Sequence, residues 1–268
     1  MAELEQRAKA LRRKSLEIIH RAGSGHPGGS LSAADLVAAL FFGGVLKYDP
    51  KNPKDPDRDR FILSKGHATG LLYSTLAWAG YFDEKDLGDY RKINSKLYLS
   101  GHPHPRTPGV EIASGSLGQG LSVGHGMALG ARLDQKNYRV YVLLGDGEIQ
   151  EGQIWEAAMS AAKFKSDNLI ALIDNNHVAQ DSVTKELKDL EPLDEKWRAF
   201  GWDVHRIDGH HMETVLKTLR RPPEPGKPRV IIADTVKGKG VSFMEGQTGW
   251  HGKAPNEEEL EKALKELQ

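Results

Sequence analysis

The chain of 268 residues contains no cysteine. Disulfides, thiol nucleophiles and cysteine-ligated zinc are therefore excluded. Neither charge is in excess: 37 Lys and Arg stand against 37 Asp and Glu. No basic surplus exists to drive the chain onto nucleic acid. No apolar run approaches the roughly 20 residues of a membrane span, and the polar start MAELEQRAKA lacks the apolar core of a signal peptide. A cytoplasmic protein with neither nucleic-acid nor membrane partners is expected. Internal repeats and low-complexity blocks are missing. So are two phosphate motifs. There is no G-x-x-x-x-G-K-[ST], and GDGEIQEG is not spaced as G-x-G-x-x-G with an acidic residue about 20 positions on. Nucleoside triphosphate and dinucleotide binding both lose ground.

What is present is a regular alternation. An amphipathic pattern over Glu3 to Ala22 predicts a helix stopped by Gly23-Ser24-Gly25, and Ser32 to Phe42 predicts a second. The Pro- and Asp-rich stretch from Tyr48 to Asp59 reads as a loop, FILS as a short strand, and Ala68 to Ala79 as a helix. From Tyr138 onward YRVYVLL, IWEAAMSAAKF, LIALID, WDVHRID, a helix near Met212 to Leu219 and RVIIADT follow in turn. Near-continuous apolar strands alternating with helices predict an α/β fold with a parallel sheet covered on both faces. The length suits one large α/β domain, taken here as 1–268, or two small ones.

Such sheets bind ligands outside the carboxyl ends of their strands. Gly145-Asp146-Gly147, Asp174-Asn175-Asn176 and Thr235 to Gly238 all fall there. Glycines around Asp146 allow a sharp turn and close backbone approach, and a following helix, expected from Ile149 to Phe164, would offer its N-terminus to a phosphate. A carboxylate beside a phosphate repels it unless a cation lies between. A hard ion such as Mg²⁺ takes one or two protein oxygens plus phosphate oxygens. Asp146, with Asn176 as a neutral oxygen donor, reads as a Mg²⁺–diphosphate site; the other reading of Gly-Asp-Gly is a plain strand-to-helix turn.

The same residues carry a family resemblance. Gly145-Asp146-Gly147, a helix bearing Glu151 and Glu156, and Asn175-Asn176 resemble the thiamine-diphosphate signature. SGHPGG (24–29), LSKGHATG (63–70), GHPHPRTPGVE (101–111), SGSLGQGLS (114–122) and WHGK (250–253) resemble transketolase, in family order along nearly the whole chain. The resemblance implies a diphosphate-binding (PP-type) thiamine-diphosphate fold and transfer of a two-carbon ketol unit from a ketose phosphate to an aldose phosphate. It implies thiamine diphosphate with Mg²⁺, or Ca²⁺ or Mn²⁺ in its place. By position, Asp146, Asn176 and the Val178 carbonyl would hold the metal and Gly147 the diphosphate. His67 would stand near diphosphate and substrate, Leu117 would pack on the aminopyrimidine ring, and Gly115 would be a further cofactor-binding position. His26, His102 and His251 would line the substrate channel, and Gln180 and Lys237 match cofactor-side positions. Histidine suits the chemistry, since a sugar hydroxyl must lose a proton and another gain one near neutrality.

The resemblance covers only the N-terminal, diphosphate-binding part of the family's longer chains. It therefore implies a C-terminal partner subunit bearing the pyrimidine-binding domain, in a heterotetramer of two of each chain. Glu151 and Glu156, five residues apart and able to share one side of a helix, would lie at that seam and near the cofactor, not on the outer surface. The readings kept beside this one are an α-type subunit of a 2-oxo acid dehydrogenase and a non-catalytic cofactor-binding homologue. His205, His210 and His211 read as surface or capping residues, and His104 is unassigned. Gly118, Gly120, Gly124, Gly126 and Gly130 read as close-packing positions. Lys237-Gly238-Lys239-Gly240 reads as a phosphate loop or an exposed basic one, and EEELEKALKEL as a solvated amphipathic helix.

Overall fold

A computed structural model describes residues 1–268. In chain order the elements are α1 (Ala2–Ala22), α2 (Pro27–Ser32), α3 (Ala34–Phe42), β1 (Arg60–Leu63), α4 (Thr69–Trp78), α5 (Gly120–Leu133) and β2 (Val140–Gly145). There follow α6 (Gly152–Lys163), β3 (Leu169–Asn175), α7 (Thr184–Leu187), α8 (Leu193–Ala199), β4 (Asp203–Asp208), α9 (Met212–Leu219), β5 (Arg229–Asp234) and α10 (Glu257–Glu266). The strands form one sheet in the order β1-β2-β3-β5-β4, every pair parallel.

Alternation within the strands explains why the sheet is covered twice. Phe61, Leu63, Tyr141, Leu143, Ile170, Leu172 and Ile231 pack with α1, α3, α4 and α9 on one face. Their neighbours Ile62, Val140, Val142, Leu144, Ala171, Ile173, Val230 and Ile232 pack with α5, α6 and α8 on the other. Successive side chains of a strand point to opposite faces, so a strand buried on both must be apolar throughout. β2 and β3 are buried at every position, while the edge strand β4 is half-buried. A third cluster joins α1 to α10 through Leu16, Val241, Met244, Trp250, Leu260 and Ala263.

Three expectations are corrected here. The second helix is two, because α2 ends at Ser32 and α3 begins at Ala34. The helix expected from Ile149 begins at Gly152, after a 3₁₀ turn over Glu148–Gln150 and an extended Glu151 (ψ 133°). The Glu148 carboxylate turns back to accept the Gly145 N–H at 3.0 Å, and the extended Glu151 separates this turn from α6. Among the α5 glycines only two are close-packed. A Cβ on Gly120 would strike Ser64 and one on Gly124 would strike Val142, whereas Gly126 and Gly130 face open space. α10 is the expected amphipathic helix, solvated on one face with Leu260 and Ala263 buried on the other.

Candidate active site

Because β2, β3 and β5 are neighbours, their carboxyl ends deliver three loops to one place. They line a cavity of about 180 Å³ whose 15 lining residues include only three hydrophobic ones. The charged and amide side chains among them, Lys65, Asp146, Glu148, Asn176 and Lys237, suit a charged ligand. Asp146, Gly147, Asn176, Val178, Gln180, Lys237, His67, His251 and Leu117 all line it.

Asp146 is buried, and its Oδ1 accepts the Gly147 N–H at 2.8 Å. Its Oδ2 has no partner at all. Burial, followed by the nearby charge of Asp174, pushes the carboxyl up to about 6. A buried, half-satisfied carboxylate is costly, and a cation in the cavity would relieve it. Asn176 is turned to help. Its Nδ2 donates to Asp174 Oδ2 at 3.2 Å, which leaves Oδ1 as the outward oxygen, accepting the Val178 N–H at 3.2 Å. His177 between them adopts a left-handed φ of 63°. No trio of His, Asp or Glu side chains could hold an ion unaided. An ion here must draw on amide and carbonyl oxygens and on the ligand's own phosphates, as Mg²⁺ does.

Two buried charges beneath the cavity escaped the sequence reading. Lys65, at the end of β1, donates to Gly29 O at 2.9 Å and forms an ion pair with Asp174 Oδ2, both side chains being fully buried. Ser32 Oγ donates to the same oxygen at 2.6 Å, and Thr235 Oγ1 donates to Oδ1. Although burial opposes it, the Lys65 charge and these donors hold the Asp174 carboxyl below its ordinary range. The signal available was an Asp closing the apolar run LIALID. The third missed residue is Glu148, which is buried and lines the cavity.

Lys237 is buried, which removes the exposed-loop reading of its segment. Its Nζ donates to Val178 O at 3.0 Å and Ala179 O at 2.7 Å, and lies 2.9 Å from His251 Nδ1. Burial, then the charge of Lys65, lowers it to about 8. The ammonium thus occupies the carbonyl expected to ligate the metal. As the Lys237 ammonium can only donate, His251 accepts at Nδ1 and carries its proton on Nε2.

Three of the expected histidines converge. Ring centroids of His26, His67 and His251 lie 5.1 to 5.3 Å apart. Burial, and secondarily the charges of Arg91, His102 and Lys237, lowers His26 to about 4. Burial and Lys237 lower His251 to about 3, and burial and Lys65 hold His67 well below its ordinary value. All three rings are neutral at pH 7. His26 Nδ1 is buried without a partner. His102 stands farther out and exposed, against Gly115, whose added Cβ would meet it at 3.1 Å. Its loop is pinned by Tyr73 Oη, which donates to His102 O at 3.0 Å.

Other expected residues fall elsewhere. Glu151 and Glu156 are exposed, line no part of the cavity and make no side-chain hydrogen bond in this chain. The break at Glu151 puts them on the outer face of α6, so the expectation that they avoid the surface does not hold for the single chain. His211 caps α9, accepting the Thr214 N–H. His205, half-buried on β4, pairs with Asp203 at 2.9 Å. His210 is no surface residue: it links Asp35 Oδ2 (2.7 Å) to the Val236 N–H (2.9 Å). His104 stacks on Tyr98 at 4.9 Å.

Comparisons with known proteins agree on one group. The family described as the thiamine diphosphate binding domain of transketolase matches residues 4–268. The chain is 42% identical over 268 residues to an apulose-4-phosphate transketolase subunit of Phocaeicola vulgatus, covering 98% of this chain and 93% of that protein. It is 43% identical to the 6-deoxy-6-sulfo-D-fructose transketolase subunit SqwG of a Clostridium species, covering 99% of this chain and 96% of that one. Against the solved Campylobacter jejuni transketolase it superposes with a TM-score of 0.93 at 36% identity. That match covers all of this chain and 43% of the longer one.

Proposed function

The chain belongs to the family of transketolase thiamine-diphosphate-binding domains, and from that premise we propose that it is the diphosphate-binding half of a two-subunit transketolase. The observation that carries this reading is the unpartnered Asp146 Oδ2 in a polar cavity shared with Gly147 and Asn176. Asp146, Asn176 Oδ1 and the Val178 carbonyl would hold Mg²⁺, once Lys237 gives up that carbonyl, and Gly147 would approach the diphosphate. Thiamine diphosphate, when bound, supplies the electron sink that accepts the two-carbon unit. The chain's own residues manage protons. His251 presents Nε2–H to a sugar oxygen, held in that tautomer by Lys237, and the neutral His26 and His67 rings can accept a hydroxyl proton. His102 stands at the outer end of this row, where a longer sugar would reach.

Relatives named for a ketose phosphate and a sulfonated ketose support an anionic ketose donor and an aldose phosphate acceptor. Relatives named as single subunits of a transketolase support a partner chain; the proposal extends to a pyrimidine-binding domain on that partner, two of each chain per assembly, and work in the cytoplasm. Exposed Val123 and Met159 on α5 and α6, beside Glu151 and Glu156, favour that face as the seam. The set of histidines and the relatives leave no observation favouring a 2-oxo acid dehydrogenase. The test is co-expression with the partner, then a ketose-to-aldose transfer assay with thiamine diphosphate and Mg²⁺. Cofactor-dependent transfer by the pair is expected. An assembly that binds the cofactor yet transfers nothing from any ketose phosphate would overturn the reading.

A further inference from the structure

We infer that Glu148 is a positioning residue that holds the 114–120 loop, and with it Leu117, at its working height over the cavity. The loop has two anchors. At its start Ser114 Oγ donates to Leu63 O at 2.5 Å, and Gly66 lies so close to the Ser114 carbonyl that it has no room for a side chain. At its tip Gly118, left-handed with φ 86°, sends its N–H to Glu148 Oε1 at 3.0 Å. The same oxygen accepts from Ser64 Oγ, and Oε2 accepts the Gly145 N–H at 3.0 Å. One carboxylate therefore ties together the end of β1, the end of β2 and the loop tip between them. No other polar contact joins the tip to the strand ends.

The carboxylate is 2% exposed, and burial raises its pKa against the opposing pull of these donors. Leu117, one residue before the tethered amide, is 38% exposed, with its side chain over the cavity. Gly118 and Gly120 also pack closely on Glu151 and Ser64, but the Glu148 tether is the hydrogen bond that holds the tip itself. Without the tether the diphosphate end loses the bond to the Gly145 N–H but keeps its own backbone support, the Asp146 N–H to Asp174 O bond at 3.3 Å and the β2–β3 pairing. The ring-facing end loses its wall.

This rests on the cofactor reading above and separates from it in one experiment. The chain, assembled with its partner, and its Glu148→Gln and Glu148→Ala variants are titrated calorimetrically with two probes in the presence of Mg²⁺: thiamine diphosphate and inorganic diphosphate. The expected result is thiamine diphosphate bound about tenfold or more weakly by Glu148→Ala, since a buried bond to a charged acceptor is lost. Glu148→Gln, which keeps one acceptor oxygen, should fall between, and inorganic diphosphate should bind all three alike. Amide exchange in 114–120 should quicken in the variants while β2 and α6 keep their protection. Equal affinity of all three proteins for thiamine diphosphate would overturn the inference, as would parallel loss of both probes, which signals general damage. A wild-type assembly that binds neither probe overturns the cofactor reading and this inference with it.

Discussion

Replacing Asp146 by Asn should make the metal-free chain more stable while destroying its cofactor site. The side chain is 5% exposed, one oxygen is unpartnered, and Asp174 stands close enough to repel it. Burial first, and then Asp174, raises the carboxyl from an ordinary 3.8 to about 6. Each pH unit between those values is worth roughly 1.4 kcal/mol. Keeping Asp146 ionised at pH 7 therefore costs the fold about 3 kcal/mol. The sign follows from proton counting. A carboxyl with a raised folded-state pKa binds its proton more tightly folded than unfolded, so stability falls as pH rises from about 4 to about 6. Asn keeps the Gly147 N–H bond at Oδ1 and removes the charge, but leaves its amide Nδ2 buried, which offsets part of the gain. At roughly 2–4 °C per kcal/mol for a chain of this size, Tm should rise by about 3–10 °C. The assay is thermal unfolding in a chelator at pH 7 and pH 4, wild type against Asp146→Asn. The gain should be present at pH 7 and nearly absent at pH 4, where wild-type Asp146 is already neutral. Calorimetry on the assembled enzyme should show Mg²⁺-dependent thiamine diphosphate binding lost. A variant that melts no higher at pH 7, or keeps its whole advantage at pH 4, would refute the electrostatic argument. Unchanged cofactor affinity would refute the metal assignment.

Other expectations are independent of that one. His102→Ala and His251→Ala should each retain cofactor affinity by calorimetry while ketol transfer drops by ~10²–10⁴; a full kcat in either returns that histidine to a packing role. Asp35→Asn removes the counter-charge of Arg12, itself 7% exposed and bonded through Nε to Leu31 O. An uncompensated buried guanidinium should lower the free energy of urea unfolding by about 3–5 kcal/mol, with thiamine diphosphate affinity of the folded protein unchanged. The chain alone should show no transfer activity and gain it on titration with the partner, followed by sedimentation; full activity as a monomer would dismiss the two-subunit reading. Glu156→Gln should raise the dissociation constant of that assembly, and an unaltered constant would leave the residue as a solvated helix glutamate.

Much of this protein was legible in one dimension. The strands β2, β3 and β5 are buried at almost every position because both faces are covered, and that demand is local enough to be written into the apolar runs YVLL, LIALI and VIIA. Chain order and parallel pairing then place Asp146, Asn176 and Lys237 at one edge, so the site could be located before any coordinate was known. What stayed hidden are the residues whose meaning depends on a distant partner. Lys65 and Asp174 are 109 residues apart yet share a buried ion pair, and Glu148 answers to Ser64, 84 residues before it. The strand pattern says only that such positions will be buried. Whether a buried charge is an error, a strut or a ligand depends on which opposite charge or N–H the fold brings within about 3 Å. The same holds for the break before α6. Propensity carried the helix back to Ile149, whereas the folded chain closes a 3₁₀ turn, with Glu148 bonded to the Gly145 and Gly118 amides, and begins α6 only at Gly152 after an extended Glu151. Burial follows from the order of side chains along a strand; pairing follows from where the strands end in space, and only the folded chain decides that.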